Sequence, residues 1–177
     1  MNHPDHIRLN RAFAALVLAF SFIVYYLTMA PTVSYWDCGE FIATSYILGV
    51  PHPPGSPLYL ILGRIFSMLP TNPDIAFRVN IISPIVSALA CMLLYLIIVK
   101  IVLNWRGKIR DYNDIIVVFG SALVGSLTFA FTDSHWFNAV EAEVYAISTF
   151  FTAIVVWLKL LWSERADEPG SERYILI

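Results

Sequence analysis

The chain has 177 residues, 58% of them hydrophobic and 14% charged, with a mean hydropathy of +0.69 and a net charge of −2. Soluble domains are about half apolar and a quarter charged, so an excess gathered in long uncharged blocks excludes an ordinary soluble globule and reads as a membrane protein. The small net charge, with no separate basic cluster, excludes a nucleic-acid partner. Cys38 in a loop and Cys91 inside an apolar block predict no disulfide and leave the redox compartment open.

No charge falls between Arg11 and Asp37. About 20 apolar residues cross a hydrocarbon core, so residues 10–30 form the first predicted span. Arg8 and Arg11 in front and "TMA" behind imitate a signal sequence. The apolar part is long for one and Pro31 would follow the cut directly, so an uncleaved helix is expected.

The next segment, roughly 31–78, is unusual. It contains "SYWDCGEFIATSYILGVPHPPGSPLY", residues 34–59, with two acids three positions apart and a histidine inside a proline cluster. "EFIATSYILGV" and "SPLYLILGRIFSMLP" are helix-capable but too short to span, which suits interfacial or re-entrant helices. "PHPPGSP" cannot continue a helix and makes a stiff turn between them.

The second span, 79–103, lies largely between Arg78 and Lys100, and Asn80, Ser83 and Pro84 near its start predict a kink or a polar inner face. The third and fourth spans are predicted at 114–132 and 144–162, with Lys159 snorkelling at the end of the last. "SERADEPGSE" is polar loop, and the closing "YILI" reads as a fifth hydrophobic segment cut short. Residues 1–177 are therefore expected to be the N-terminal part of a longer membrane domain.

With the N-terminus inside, nine basic residues lie on inner segments and only Arg64 and Arg78 on outer ones. That bias follows the positive-inside rule and puts the loops at 31–78 and 132–143 outside.

Each chemical candidate has a plainer reading beside it. Asp37 fits the N-cap of a short helix, with Glu40 at N3 bonding back as in a capping box. It also sits at the membrane surface beside Tyr35 and Trp36, where a carboxylate could deprotonate an acceptor hydroxyl. His52 suits a phosphate or sugar contact, a proton shuttle, or only a rigid turn. Arg64 and Arg78 could hold a lipid phosphate bidentately or simply snorkel. In "TDSHWFNAVEAEVY", a helix would align His135, Asn138, Glu141 or Ala142, and Tyr145 on one face. Glu141 and Glu143 would then point about 200° apart, so that one of them reaches a shared site. No His/Cys metal motif occurs, although Asp37, Glu40, Glu141 and Glu143 could gather around a divalent cation.

"YWDCGEFIATSYILGVPHPPGSPLYLILGRIFSMLP", "RVNIISPIVSALA" and "HWFNAVEAEVYAI" together resemble a polytopic bacterial family related to the eukaryotic O-mannosyltransferase of plexin- and Met-type receptors, within the GT-C glycosyltransferases. The resemblance implies an all-α, GT-C-like integral membrane fold: about four spans here, plus interfacial helices in a long first outer loop. It also implies inverting transfer from a polyprenyl-phosphate sugar to a protein Ser or Thr hydroxyl, with no required cofactor. The site would face the periplasm of a bacterial inner membrane. By motif position Asp37, with Glu40 beside it, is the expected catalytic group, and "EAE" at 141–143 stands where other GT-C members keep an acidic pair. His52, Arg64, Arg78, His135, Glu141 and Glu143 are the expected substrate contacts. The rival expectations are a non-catalytic assembly module and, with acids clustered outside mid-span, a less favoured transporter.

Overall fold

A computed structural model of the chain describes residues 4–174, and the last three residues of "YILI" lie outside them. The described residues are helical, with no strand among them. Four helical stretches are long and apolar enough to cross a membrane: Pro4–Thr28, Ile75–Arg106, Tyr112–Ala130 and Val144–Ser163.

The first stretch is helix α1 (Pro4–Thr28). The second consists of a short α4 (Ile75–Asn80) and a long α5 (Ile82–Arg106), which meet at Ile81. The break lies where Pro84, having no backbone N–H, cannot donate to the carbonyl of Asn80. The third stretch runs through α6 (Tyr112–Ile115), a π-helical turn (Ile116–Gly120) and α7 (Ser121–Ala130). The fourth is α9 (Val144–Ser163).

Helix α5 is the hub, packing against α1, α7 and α9. Its Ala88 and Cys91, with Ala122 and Ala130 opposite, are completely buried, and such small side chains let helix backbones approach closely. Tyr25, also fully buried, donates from its hydroxyl to Ala130 O at 2.7 Å and ties α1 to the end of α7. The outward faces carry exposed apolar residues such as Leu16, Phe20, Ile23, Leu27, Val124 and Val155, as lipid-facing helices do.

The loop between the first and second spans and the loop between the third and fourth form a cap with its own core. In the first, α2 (Cys38–Ile47) and α3 (Pro57–Met68) pack as a hairpin. Phe41, Ile42, Tyr59 and Leu60 cluster with Ala76, Val79, Ile82, Ala142 and Ile147. The hairpin is tight because Gly63 lies directly against Ser45: a Cβ at Gly63 would fall 2.7 Å from Ser45 Cβ. Leu58, Ile61, Ile65 and Met68 are exposed along one stripe of α3, opposite its buried Tyr59, Leu60, Gly63 and Ser67. That amphipathic division fits an interfacial helix. The loop between the third and fourth spans holds α8 (Asp133–Ala139) and the segment leading into α9.

Candidate functional site

The cap brings its two loops into register through α4. Asp74 caps α4, accepting from Ala76 N at 2.7 Å and Phe77 N at 3.4 Å. One turn on, the fully buried Asn80 donates from Nδ2 to Ala30 O and Thr32 O, both at 2.9 Å. Ala30 N donates in turn to Val140 O at 2.8 Å. The chain leaving α1 is thus fixed both to the second span and to the residue immediately before Glu141.

From that anchor the chain reverses through Trp36, which has a left-handed φ of 62°, into α2. Asp37 starts the helix with helical backbone angles, and its side chain makes no cap bond. The capping-box expectation is therefore corrected. Glu40 does not bond back but reaches forward to His52: its Oε1 accepts from His52 N at 2.8 Å and its Oε2 meets His52 Nδ1 at 2.7 Å. The reason is the turn. Helix α2 ends in a left-handed Leu48, and Gly55, at φ +90°, closes onto His52 O, which returns His52 to the first turn of α2. The imidazole packs beside Phe41, with ring centroids 5.8 Å apart.

The second loop also differs from expectation. Helix α8 ends at Ala139, and Glu143 is extended (φ −130°, ψ 146°) as the N-cap residue of α9. The single helical face does not form, so Glu141 and Glu143 do not diverge. Both are buried, and with buried Cys38 they place ligand-type atoms within 4.8 Å of one another. Cys38 Sγ donates to Glu143 Oε1 at 3.8 Å, while Glu141 Oε1 is buried with no hydrogen-bond partner among the described residues. Exposed Asp37, Glu40 and His52 form a second such group within 4.8 Å.

A cavity of about 220 Å³ joins the two groups, lined by Asp37, Phe41, His52, Ser56, Glu143 and Tyr145 among others. Its electrostatics are graded by depth. Burial raises the Glu143 carboxyl above its usual range, and the charges of Asp37 and Glu141 raise it further. Burial pushes the Cys38 thiol up to about 12, which keeps it protonated and a poor metal ligand. At the mouth, hydrogen bonds from His52 hold Glu40 below its usual range, and the bond to Glu40 raises His52. With Glu40 committed to His52, the oxygens best suited to a hard divalent cation are those of Glu141 and Glu143.

Arg64, Arg78 and His135 are not among the lining residues of this cavity. The Arg64 guanidinium donates to Tyr46 O and lies 5.3 Å from the Tyr46 ring centroid. Arg78 donates to Ser67 O at 2.7 Å, to Pro73 O at 3.1 Å and to Asn72 O, fastening the α3–α4 turn. Free carbonyls at helix ends compete for any nearby guanidinium, and here they take both arginines. His135 lies against Tyr25 and Phe129, with Nε2 3.5 Å from Cys91 Sγ, and burial lowers its pKa. Cys38 and Phe41 join the site without having been expected there, and Tyr145, expected on one helical face with His135 and Asn138, lines the cavity without them. The signal for Cys38 was its place between Asp37 and Glu40 at a helix start.

No solved structure matches the chain. The curated relatives include the protein O-mannosyl-transferase tmem260 of Dictyostelium discoideum, 31% identical over 91% of this chain. They also include the protein O-mannosyl-transferase TMEM260 of Mus musculus, 26% identical over 80% of it. The chain spans 18% of the length of each. The profile described as "Protein O-mannosyl-transferase TMEM260 N-terminal domain" matches residues 37–177, a stretch that opens on Asp37 and holds both acidic loops, and the chain belongs to that family.

Proposed function

We propose that the chain forms the base-bearing part of a GT-C-type, inverting protein O-mannosyltransferase using a polyprenyl-phosphate mannose. The observation that carries this reading is the convergence of Asp37, His52 and Glu143 from two loops on one cavity at the membrane edge. At about 220 Å³ the cavity is smaller than the roughly 300 Å³ at which drug-sized sites begin, and it suits one sugar ring. The positive-inside bias of nine basic residues to two supports an outer location for this end of the bundle.

In this mechanism the exposed Asp37 carboxylate takes the proton of a Ser or Thr hydroxyl. The hydroxyl oxygen forms a bond to the anomeric carbon from the face opposite the phosphate. The bond from that carbon to the phosphate oxygen breaks with its electron pair on oxygen, releasing polyprenyl phosphate and inverting the centre. Glu143 stabilises the positive charge that develops on the sugar. His52, whose pKa the bond to Glu40 raises, is the group in the cavity that, when protonated, would face the departing phosphate in this reading, in place of Arg64 and Arg78. The route requires no cofactor, and Glu141 and Glu143 are the pair that could hold a divalent cation.

The test uses the intact protein in bilayers with candidate polyprenyl-phosphate sugars, scoring acceptor peptides by mass. Asp37→Asn is expected to fold normally and lose about 10²–10⁴-fold in transfer, the usual worth of a general base. Unchanged turnover in a folded variant removes Asp37 as base.

A further inference from the structure

At the end of the bundle opposite the acidic site, α1, α5 and α9 surround a cavity of about 740 Å³. It has two parts. Leu96, Val99 and Leu103 of α5 and Leu161 of α9 give it an apolar wall. Arg11, Lys100, Lys108 and Arg165 also line it, against a single acid, Glu164. Lys100 is the most enclosed of the cations, its side chain 17% exposed, paired with Glu164 and 5.2 Å from the Trp157 ring centroid. Asn10, another lining residue, has a buried Oδ1 with no hydrogen-bond partner among the described residues.

We infer that this cavity binds the phosphate head group of an anionic membrane lipid, with part of an acyl chain along its apolar wall. Four cations against one acid leave a surplus of positive charge that a phosphate neutralises. Basic pockets between membrane helices recognise anionic head groups in this way. A soluble phosphate would leave the leucine wall unused, whereas a phospholipid satisfies wall and rim together. The Asn10 oxygen accepts from a head-group hydroxyl, so a polyol head group such as glycerol fits better than choline. Lys100 exchanges part of its Glu164 interaction for the lipid phosphate. The site is independent of the sugar-transfer reading.

The experiment is native mass spectrometry of the intact detergent-extracted protein, incubated with phosphatidylglycerol or with phosphatidylcholine of matched chains. Phosphatidylglycerol is expected to be retained in excess. Lys108→Ala and Arg165→Ala should each weaken that retention about fivefold, the worth of one cation near a lipid surface. Glu164→Gln should strengthen it by releasing Lys100, a sign that general damage to the fold cannot produce. Equal retention of the two lipids, or retention indifferent to all three substitutions, overturns the inference. Competition by sn-glycerol 1-phosphate at the lipid's own concentration overturns it as a lipid site.

Discussion

Gly63→Ala tests the tightest joint in the cap. A Cβ at position 63 would lie 2.3 Å from Ser45 Oγ and 2.7 Å from Ser45 Cβ. The hydroxyl can rotate away, but Ser45 Cβ moves only with α2. Bringing that carbon pair to ordinary contact at 3.4 Å requires the two helices to part by about 0.7 Å, and such overpacking costs about 1–3 kcal/mol. Helix α2 carries Glu40, so a shift of that size along its 2.7 Å bond to His52 stretches it to about 3.4 Å, where a hydrogen bond is much weakened. The assay is a double-mutant cycle on unfolding free energy in mild detergent, with sugar transfer measured alongside. Gly63→Ala alone should lose stability and transfer. Ser45→Gly with Gly63→Ala should recover about 1–3 kcal/mol beyond the sum of the single changes, because it exchanges the positions of a small and a larger residue. A Gly63→Ala protein as stable as the wild type, or a cycle that closes with no coupling, would refute the packing argument.

Asn80→Ala removes the donor to the carbonyls of Ala30 and Thr32; exposed Thr32 can turn to water, whereas the half-buried Ala30 carbonyl, left unpaired, costs about 1–3 kcal/mol. It should lower both stability and transfer, and a loss below 1 kcal/mol would show that the tether is dispensable. Glu143→Gln should raise the melting temperature at pH 7 while reducing transfer. The folded-state pKa of Glu143 lies above its ordinary 4.5, so its favourable contribution is complete below 4.5 and is lost as pH rises through the folded value. The stability gain should accordingly vanish when the melts are repeated in acid; a gain that persists there contradicts the burial argument. The Glu40–His52 pair should be firmest between pH 4.5 and 6.5. His52, raised from 6.5, gives up its contribution as pH rises through its folded value, and Glu40, lowered from 4.5, does so as pH falls through its own. Amide exchange at His52 N, corrected for intrinsic rates, should show that window, and Glu40→Gln should abolish it.

The membrane architecture is written in one-dimensional signals, which is why it is legible. Uncharged runs near bilayer length, bounded by Arg11, Arg78, Lys100, Asp114 and Asp133, identify helices that must satisfy their backbones internally. The helix–turn–helix of the loop after the first span is legible too, because prolines and Gly55 punctuate it. The partners within the site are not. Whether Glu40 bonds back to the helix start or forward to His52 depends on the path of residues 48–56, which propensity does not encode. Glu141 and Glu143 share a site because α8 stops at Ala139 and the chain bends through residues 140–142 to an extended Glu143 before α9 begins. Read as a helix, the same letters separate them. The partners of the two arginines are hidden for a related reason: sequence gives their charge, but not the carbonyls near the ends of α2 and α3 to which they donate.

The contact between Cys38 and Glu143 joins residues 105 positions apart, with two membrane crossings between them. During synthesis the first acidic loop is therefore complete well before its counterpart exists. Throughout that interval Asp37, Glu40 and His52 are present without the deep wall of their cavity. The pocket closes only when α9 inserts and Val140 pairs with Ala30. A nascent chain stalled before the fourth span would thus display the first motif yet lack the wall that Glu143, Val144 and Tyr145 give its cavity.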